Sequence, residues 1–199
     1  MYCSLAILLL SAASILAQGT YYTAPNGTSI NSCGTSGPYM ARALMAPRGA
    51  INSGEAVLGN ITFMQAAAGQ PTTITGQITG LTPNVMLGFH VHQLGDLSNG
   101  CDSALEHYNP RMKTHGDLTN PNRHNGDLGN VQSDANGVAN INKQSDLLAL
   151  IGPESVIGRT IIVHRLMDDL GLGGTAESLA SGSANGRSAC GIIGQLRPT

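Results

Sequence analysis

Met86-Leu-Gly-Phe-His-Val-His92 is the stretch on which the reading of this chain turns. Its apolar run predicts a β-strand. Side chains alternate faces along a strand, so His90 and His92 emerge together while Phe89 and Val91 point the other way, into a core. One face is built for burial and the other presents a ready-made chelating pair. A His-X-His triplet alone decides little, because so short a motif is frequent on surfaces. Its neighbours decide.

Outward from this strand, further strand patterns recur. They begin near Ala41 and continue at Ala56–Gln65 and Thr72–Gly80, which are separated by Ala66-Ala-Ala-Gly-Gln-Pro71. Others lie at Gly129–Val131, Val138–Ile141, Ile157–His164 and Gly191–Leu196. Short strands punctuated by glycine predict an all-β sandwich or barrel. A short helix is expected after Asp168. Two connections, Gly95–Gly129 and Met167–Ser188, are long and rich in polar and turn-forming residues. Structureless loops of that length are commonly functional, and their entropy calls for fastening. Cysteines at 101 and 190 and a concentration of ligand-type residues are the available fasteners.

The 199 residues suffice for one domain with tails. Only 11% are charged and the formal net charge is -2, which leaves no basic field for nucleic acid. Residues 1–19 carry an apolar run from Leu5 through Leu16 into the small residues Ala17 and Gly19. This predicts a signal peptide, too short to span a membrane, and hence a secreted, extracellular protein without stable membrane insertion after its removal. Residues 20–39 read as a flexible arm and 40–199 as the folded domain. Asn26 and Asn60 head Asn-X-Thr sequons and are candidate glycosylation sites. Without Cys3, the remaining Cys33, Cys101 and Cys190 permit one disulfide and one thiol.

All six histidines fall within 75 positions: His90, His92, His107, His115, His124 and His164. The loop adds Asp127. His164 ends the apolar run Ile161-Ile162-Val163, at the rim of a buried strand. Imidazoles with a carboxylate suit zinc, and imidazoles alone suit copper or zinc. The residues by themselves do not partition seven ligands between metals.

A resemblance does. Gly88-Phe-His-Val-His92, Gly95-Asp96, Gly100-Cys101, Ser103-Ala104, His107-Tyr-Asn-Pro110 and His115-Gly116 are similar to copper–zinc superoxide dismutase, in family order. So are Arg123-His-Asn-Gly-Asp-Leu-Gly-Asn130, Gly158-Arg159, Val163-His164, Asp168-Asp-Leu-Gly171 and Arg187-Ser-Ala-Cys-Gly191. The resemblance spans roughly residues 40 to 196. It implies a Greek-key β-sandwich, or flattened eight-stranded barrel, with two long functional loops. It implies copper on His90, His92, His107 and His164, and zinc on His107, His115, His124 and Asp127, with His107 bridging. It also implies a carboxylate at Asp168 linking two ligand histidines, a disulfide between Cys101 and Cys190, and an anion-guiding arginine at Arg187. The implied reaction converts superoxide to dioxygen and hydrogen peroxide by alternating reduction and reoxidation of copper, with His107 also handling a proton.

Several positions depart from the family pattern. The loop from Asp168 to Arg187 contains no lysine, with Leu172 and Ala180 where lysines are common, so weaker anion steering is expected. Leu105 stands where glycine is usual, and the local loop is expected to shift if only glycine angles fit. Leu94 and Gln195 alter the family's dimer contact, although Ile157, Ile192 and Ile193 remain, so a homodimer is expected. The alternative, a non-catalytic secreted metal-binding or structural protein, should have lost a ligand or Arg187. A copper-only dismutase should lack the zinc set, and a copper chaperone should carry cysteine-rich transfer motifs. None of these signatures is present.

Overall fold

The structure, a computed structural model, describes residues 22–23, 29–30, 38–47 and 57–197. The chain divides into two compact units, Met1–Gly37 and Pro38–Thr199. In the first, β1 (Tyr22–Thr23) pairs antiparallel with β2 (Ser29–Ile30). The expected signal peptide and Asn26 lie outside the described residues, as do Cys3 and Cys33.

The second unit is all-β. One sheet runs β12-β3-β4-β5-β9: β12 (Gly194–Gln195), β3 (Tyr39–Met45), β4 (Leu58–Gln65), β5 (Thr72–Thr79) and β9 (Ala139–Ser145). The other runs β11-β10-β6-β8: β11 (Arg187–Ile192), β10 (Thr160–His164), β6 (Met86–His92) and β8 (Asp127–Gln132). Every pairing is antiparallel. The chain leaves the first sheet after β5, builds β6 and β8 in the second, returns to lay β9 beside β5, and crosses again to β10. That is a Greek-key sandwich of eight longer strands with β12 as a two-residue addition.

Alternation explains the core. On β4, Ile61 and Phe63 turn inward, and Ile74 and Ile78 do so on β5. They meet Phe89 and Val91 of β6 and Ile161 and Val163 of β10, all at 0% exposure. Each such burial contributes up to roughly 1.5–3 kcal/mol before the entropy of ordering is counted.

Most strand expectations hold within a few residues, and two need correction. The last strand does not start at Gly191: β11 begins at Arg187, and Ile193 interrupts it before β12. Ala189 and Cys190 are buried on opposite faces of β11, one in the main core and one beside Cys101, so no apolar alternation shows. The first long loop also contains β7 (Ser98–Cys101), followed by a 3-10 turn at Asp102–Ala104. The expected short helix is α1 (Ala176–Ser181), where Thr175 Oγ1 accepts the Ser178 N–H.

Backbone hydrogen bonds and a disulfide fasten the loops over the face of β6 that bears histidine. Tyr108 N–H donates to Val91 O at 2.8 Å, and Val91 N–H donates to Gly126 O at 2.9 Å, so both ends of the first loop lie along β6. The second loop is tied to the first where His115 N–H donates to Leu179 O at 2.8 Å. Cys101 and Cys190 form a disulfide that joins β7 to β11.

Candidate metal centre

The strand places His90 and His92 on one face, and the loops bury that face: His90 is 0% and His92 1% exposed. His164 arrives from the end of β10, beside β6 in the sheet. His107 faces His92 as an isolated bridge partner. His90, His92, His107 and His164 each bring one nitrogen into a group spanning no more than 4.8 Å, and so do the ligand atoms of His107, His115, His124 and Asp127. His107 belongs to both groups. All seven expected ligands are therefore assembled, four from the strands β6, β8 and β10 and three from the first long loop.

The hydrogen bonds orient each ring. His90 Nε2 lies 2.8 Å from Asp168 Oδ2, and His115 Nε2 lies 2.8 Å from Asp168 Oδ1, so one carboxylate spans the two rings. His92 Nδ1 donates to Leu105 O at 2.7 Å, His164 Nδ1 to Gly186 O at 3.1 Å, and His124 Nε2 to Lys113 O at 3.0 Å. When an outward nitrogen donates, the inward nitrogen of a neutral imidazole keeps its lone pair. The inward nitrogens converge. His90 Nδ1, His107 Nε2, His115 Nδ1 and His124 Nδ1 are buried and have no hydrogen-bond partner. Buried polar atoms without partners are costly, and here they aim at two common points. The donor sets fit copper or zinc at the all-imidazole point and zinc at the point with Asp127.

Asp127 is the hub of the second group. Its Oδ1 lies 2.9, 3.0 and 3.2 Å from Nδ1 of His107, His115 and His124, and only the His107 contact has hydrogen-bond geometry. Its Oδ2 accepts from the backbone N–H of Gly116 and His124. Burial works against its charge, yet the three imidazoles hold its carboxyl far below the usual carboxylate range. Burial first, then the neighbouring imidazoles, push His90 and His92 well below the ordinary histidine value and His164 down to about 3. His107 is lowered by burial despite its bond to Asp127. His115 goes the other way: burial opposes its charge, but Asp127 and Asp168 raise it to about 9.

Arg187 is half-buried at the start of β11, with Nη1 on Cys101 O and Nη2 on Leu105 O. The Leu105 carbonyl thus joins the guanidinium to His92. Leu105 itself has φ 60° and ψ -143°, angles suited to glycine but held here by leucine.

Three contributors were not legible in advance. Asn130 clamps Asp168, its Oδ1 accepting the Asp168 N–H and its Nδ2 donating to the Asp168 carbonyl, both at 2.8 Å. Gly182 ends α1 at φ +70°, and a Cβ there would lie 2.5 Å from His115 Nε2 and nearer still to Asp168 Oδ1. The Leu105 carbonyl is the third. A glycine after a predicted helix was the one available signal; which carboxylate it faces is a tertiary fact.

Comparisons with known proteins agree with this geometry. The family model described as copper/zinc superoxide dismutase matches residues 57–193. The copper–zinc superoxide dismutase of Neurospora crassa is 51% identical over 155 residues, covering 78% of this chain and 98% of that protein. That of Saccharomyces cerevisiae is 50% identical over 146 residues, covering 73% and 95%. Among solved structures, one described as the clock protein EA4 is 43% identical, with a TM-score of 0.73 and coverage of 81% of this chain and 97% of that one.

Proposed function

This chain belongs to the copper/zinc superoxide dismutase family, and from that premise we propose how its own residues divide the work of the reaction. The enzyme converts two superoxides and two protons to dioxygen and hydrogen peroxide. When bound, copper supplies the one-electron couple that accepts an electron from one superoxide and returns it to the next, while zinc has no redox role.

We assign His90, His92, His107 and His164 to copper and His107, His115, His124 and Asp127 to zinc. The observation that carries this is the position of His107, with Nδ1 toward Asp127 and a buried, unpartnered Nε2 on the other side. Nε2 is then the atom that holds and releases a proton, while Nδ1 keeps the ring in place. Asp168 keeps the His90 and His115 rings turned, as outer carboxylates do for ligand histidines. Arg187 offers a permanent charge to a small anion, and the carbonyls of Cys101 and Leu105 set its direction.

Purified protein should carry one copper and one zinc per chain and turn over superoxide. Zinc alone, with no activity after copper loading, would sink the assignment.

Secretion is supported by the apolar N-terminal run and is consistent with the disulfide. Among the described residues no helix is long and apolar enough to cross a membrane. Asn60 is exposed on β4, which supports it as a glycan acceptor in an exported chain. Homodimerisation is supported by exposed Leu44, Leu94 and Ile192, which adjoin one another through Thr160 and Gly191. Ile192→Asp should convert a dimer to a monomer by sedimentation; unchanged mass would argue against this face.

A further inference from the structure

The loop Asp168–Arg187 contains no lysine, so a second cation near Arg187 has to come from elsewhere in the fold. Arg165 supplies one. It follows His164 directly, is exposed, and donates its backbone N–H to Gly186 O at 3.2 Å. Its aliphatic stem lies across Gly186: a Cβ on that glycine would sit 2.9 Å from Arg165 Cδ and 3.3 Å from its Cβ and Cγ. The bare backbone of Gly186, at φ +35°, is what lets the stem lie down next to Arg187.

Arg165 and Arg187 line one cleft with Ser98, Asn99 and Asp102. Their commitments differ. Arg187 spends Nη1 and Nη2 on backbone carbonyls, and its Nε is 3.8 Å from Asp102 Oδ1. The side chain of Arg165 has no hydrogen bond or ion pair among the described residues. An isolated exposed arginine is ordinarily a solvated charge. Two in one cleft repel each other; of the two acids that act on Arg187, Asp102 lines the cleft but is 79% exposed, and Glu106 is exposed and outside the lining, so both are well screened. The lining itself carries two positive charges against one negative, with five N–H donors on Arg165 to present the excess.

We propose that this cleft is a small-oxyanion site in which Arg165 and Arg187 act as a pair. The pairing with the reaction rests on the dismutase reading of Arg187; the anion site itself does not. The anion is superoxide on its way to the metal centre, or an inorganic oxyanion such as phosphate that competes for the same two arginines.

Inorganic phosphate is the probe, titrated into the fully metal-loaded, reduced protein while the side-chain Nε–Hε resonances of both arginines are followed by NMR. Both should shift along one saturation curve. Arg165→Ser should weaken binding about fivefold, as expected for one partly exposed charge, and Asp102→Asn should tighten it. Movement of the Arg187 resonance alone, or equal affinity in Arg165→Ser, overturns the proposal. Superoxide turnover against ionic strength separates the two sources. If superoxide uses the cleft, Arg165→Ser lowers kcat/KM at low salt and converges with the parent at high salt. Unchanged kinetics with weakened phosphate binding assigns the cleft to inorganic oxyanions. Absence of turnover in parent and variant alike would instead count against the dismutase reading, leaving the phosphate result to stand on its own.

Discussion

Replacing Leu105 by glycine and by alanine, and comparing the two variants with each other, tests whether the loop holds a non-glycine residue in a glycine conformation. At φ 60° and ψ -143°, a residue with a Cβ carries a strain of about 1–3 kcal/mol. Glycine carries almost none, but it loses more backbone freedom on folding, which costs about 0.4–1 kcal/mol relative to alanine. Leu105 is 47% exposed, so either variant also loses part of a leucine burial, roughly 1 kcal/mol; that loss cancels between them. Leu105→Gly should therefore be more stable than Leu105→Ala by about 1 kcal/mol, the reverse of the order at an ordinary position. For a domain of this size the difference is about 2–4 °C in Tm. The assay is urea unfolding of metal-free, disulfide-intact protein, which keeps metal binding out of the equilibrium. Both variants retain the carbonyl that receives His92 and Arg187, so the metal ligands are not the variable. An alanine variant as stable as the glycine one would refute the strain and with it the backbone angles at this turn.

Other expectations follow from the same geometry. Gly182→Ala drives a Cβ into Asp168 and His115 and should lower zinc affinity about 10–100-fold, the usual effect of disturbing groups behind a ligand; chelator competition measures it, and unchanged affinity would remove Gly182 from the site. Because His115 titrates at about 9 without metal, zinc binding at pH 7 should release about one proton, read by calorimetry in buffers of different ionisation enthalpy. The sign for the metal-free protein follows: a raised folded pKa means the His115 ion pairs stabilise fully below the unfolded value near 6.5 and are lost as pH rises through about 9. A metal-free protein whose stability is flat from pH 6.5 to 9.5 contradicts that pairing. Replacing Cys101 and Cys190 together by serine opens a link across 89 residues and should cost roughly 2–4 kcal/mol, with slower turnover because Arg187 loses its fixed partner at the Cys101 carbonyl.

Much of this protein was readable in one dimension. The period-2 alternation of β6 put His90 and His92 on a common face and Phe89 and Val91 in the core, and the strand boundaries of β4, β5 and β6 followed from local punctuation. The ligand set was legible because the motifs stand in family order, a property of sequence alone. Less legible was β11, where small Ala189 and Cys190 are buried on opposite faces and give no alternating apolar pattern. The short β7 was hidden inside a loop for the same reason.

What the sequence supplied by itself is the inventory: strands from local side-chain alternation, and seven candidate ligands whose sharing through His107 was implied by the family resemblance. Tertiary structure alone decided the convergence. Asp168 reaches His90 and His115 across 78 and 53 positions, and Asp127 collects three rings on one oxygen. Tertiary structure also decided that Gly182 has to stay bare, that Leu105 is held at positive φ, and that Arg165 lies beside Arg187. The physical reason is range. Periodicity reports forces between near neighbours along the chain, whereas these contacts depend on where two long loops are stitched down, and that is set by backbone hydrogen bonds such as Tyr108 to Val91 and His115 to Leu179, which carry no side-chain signature.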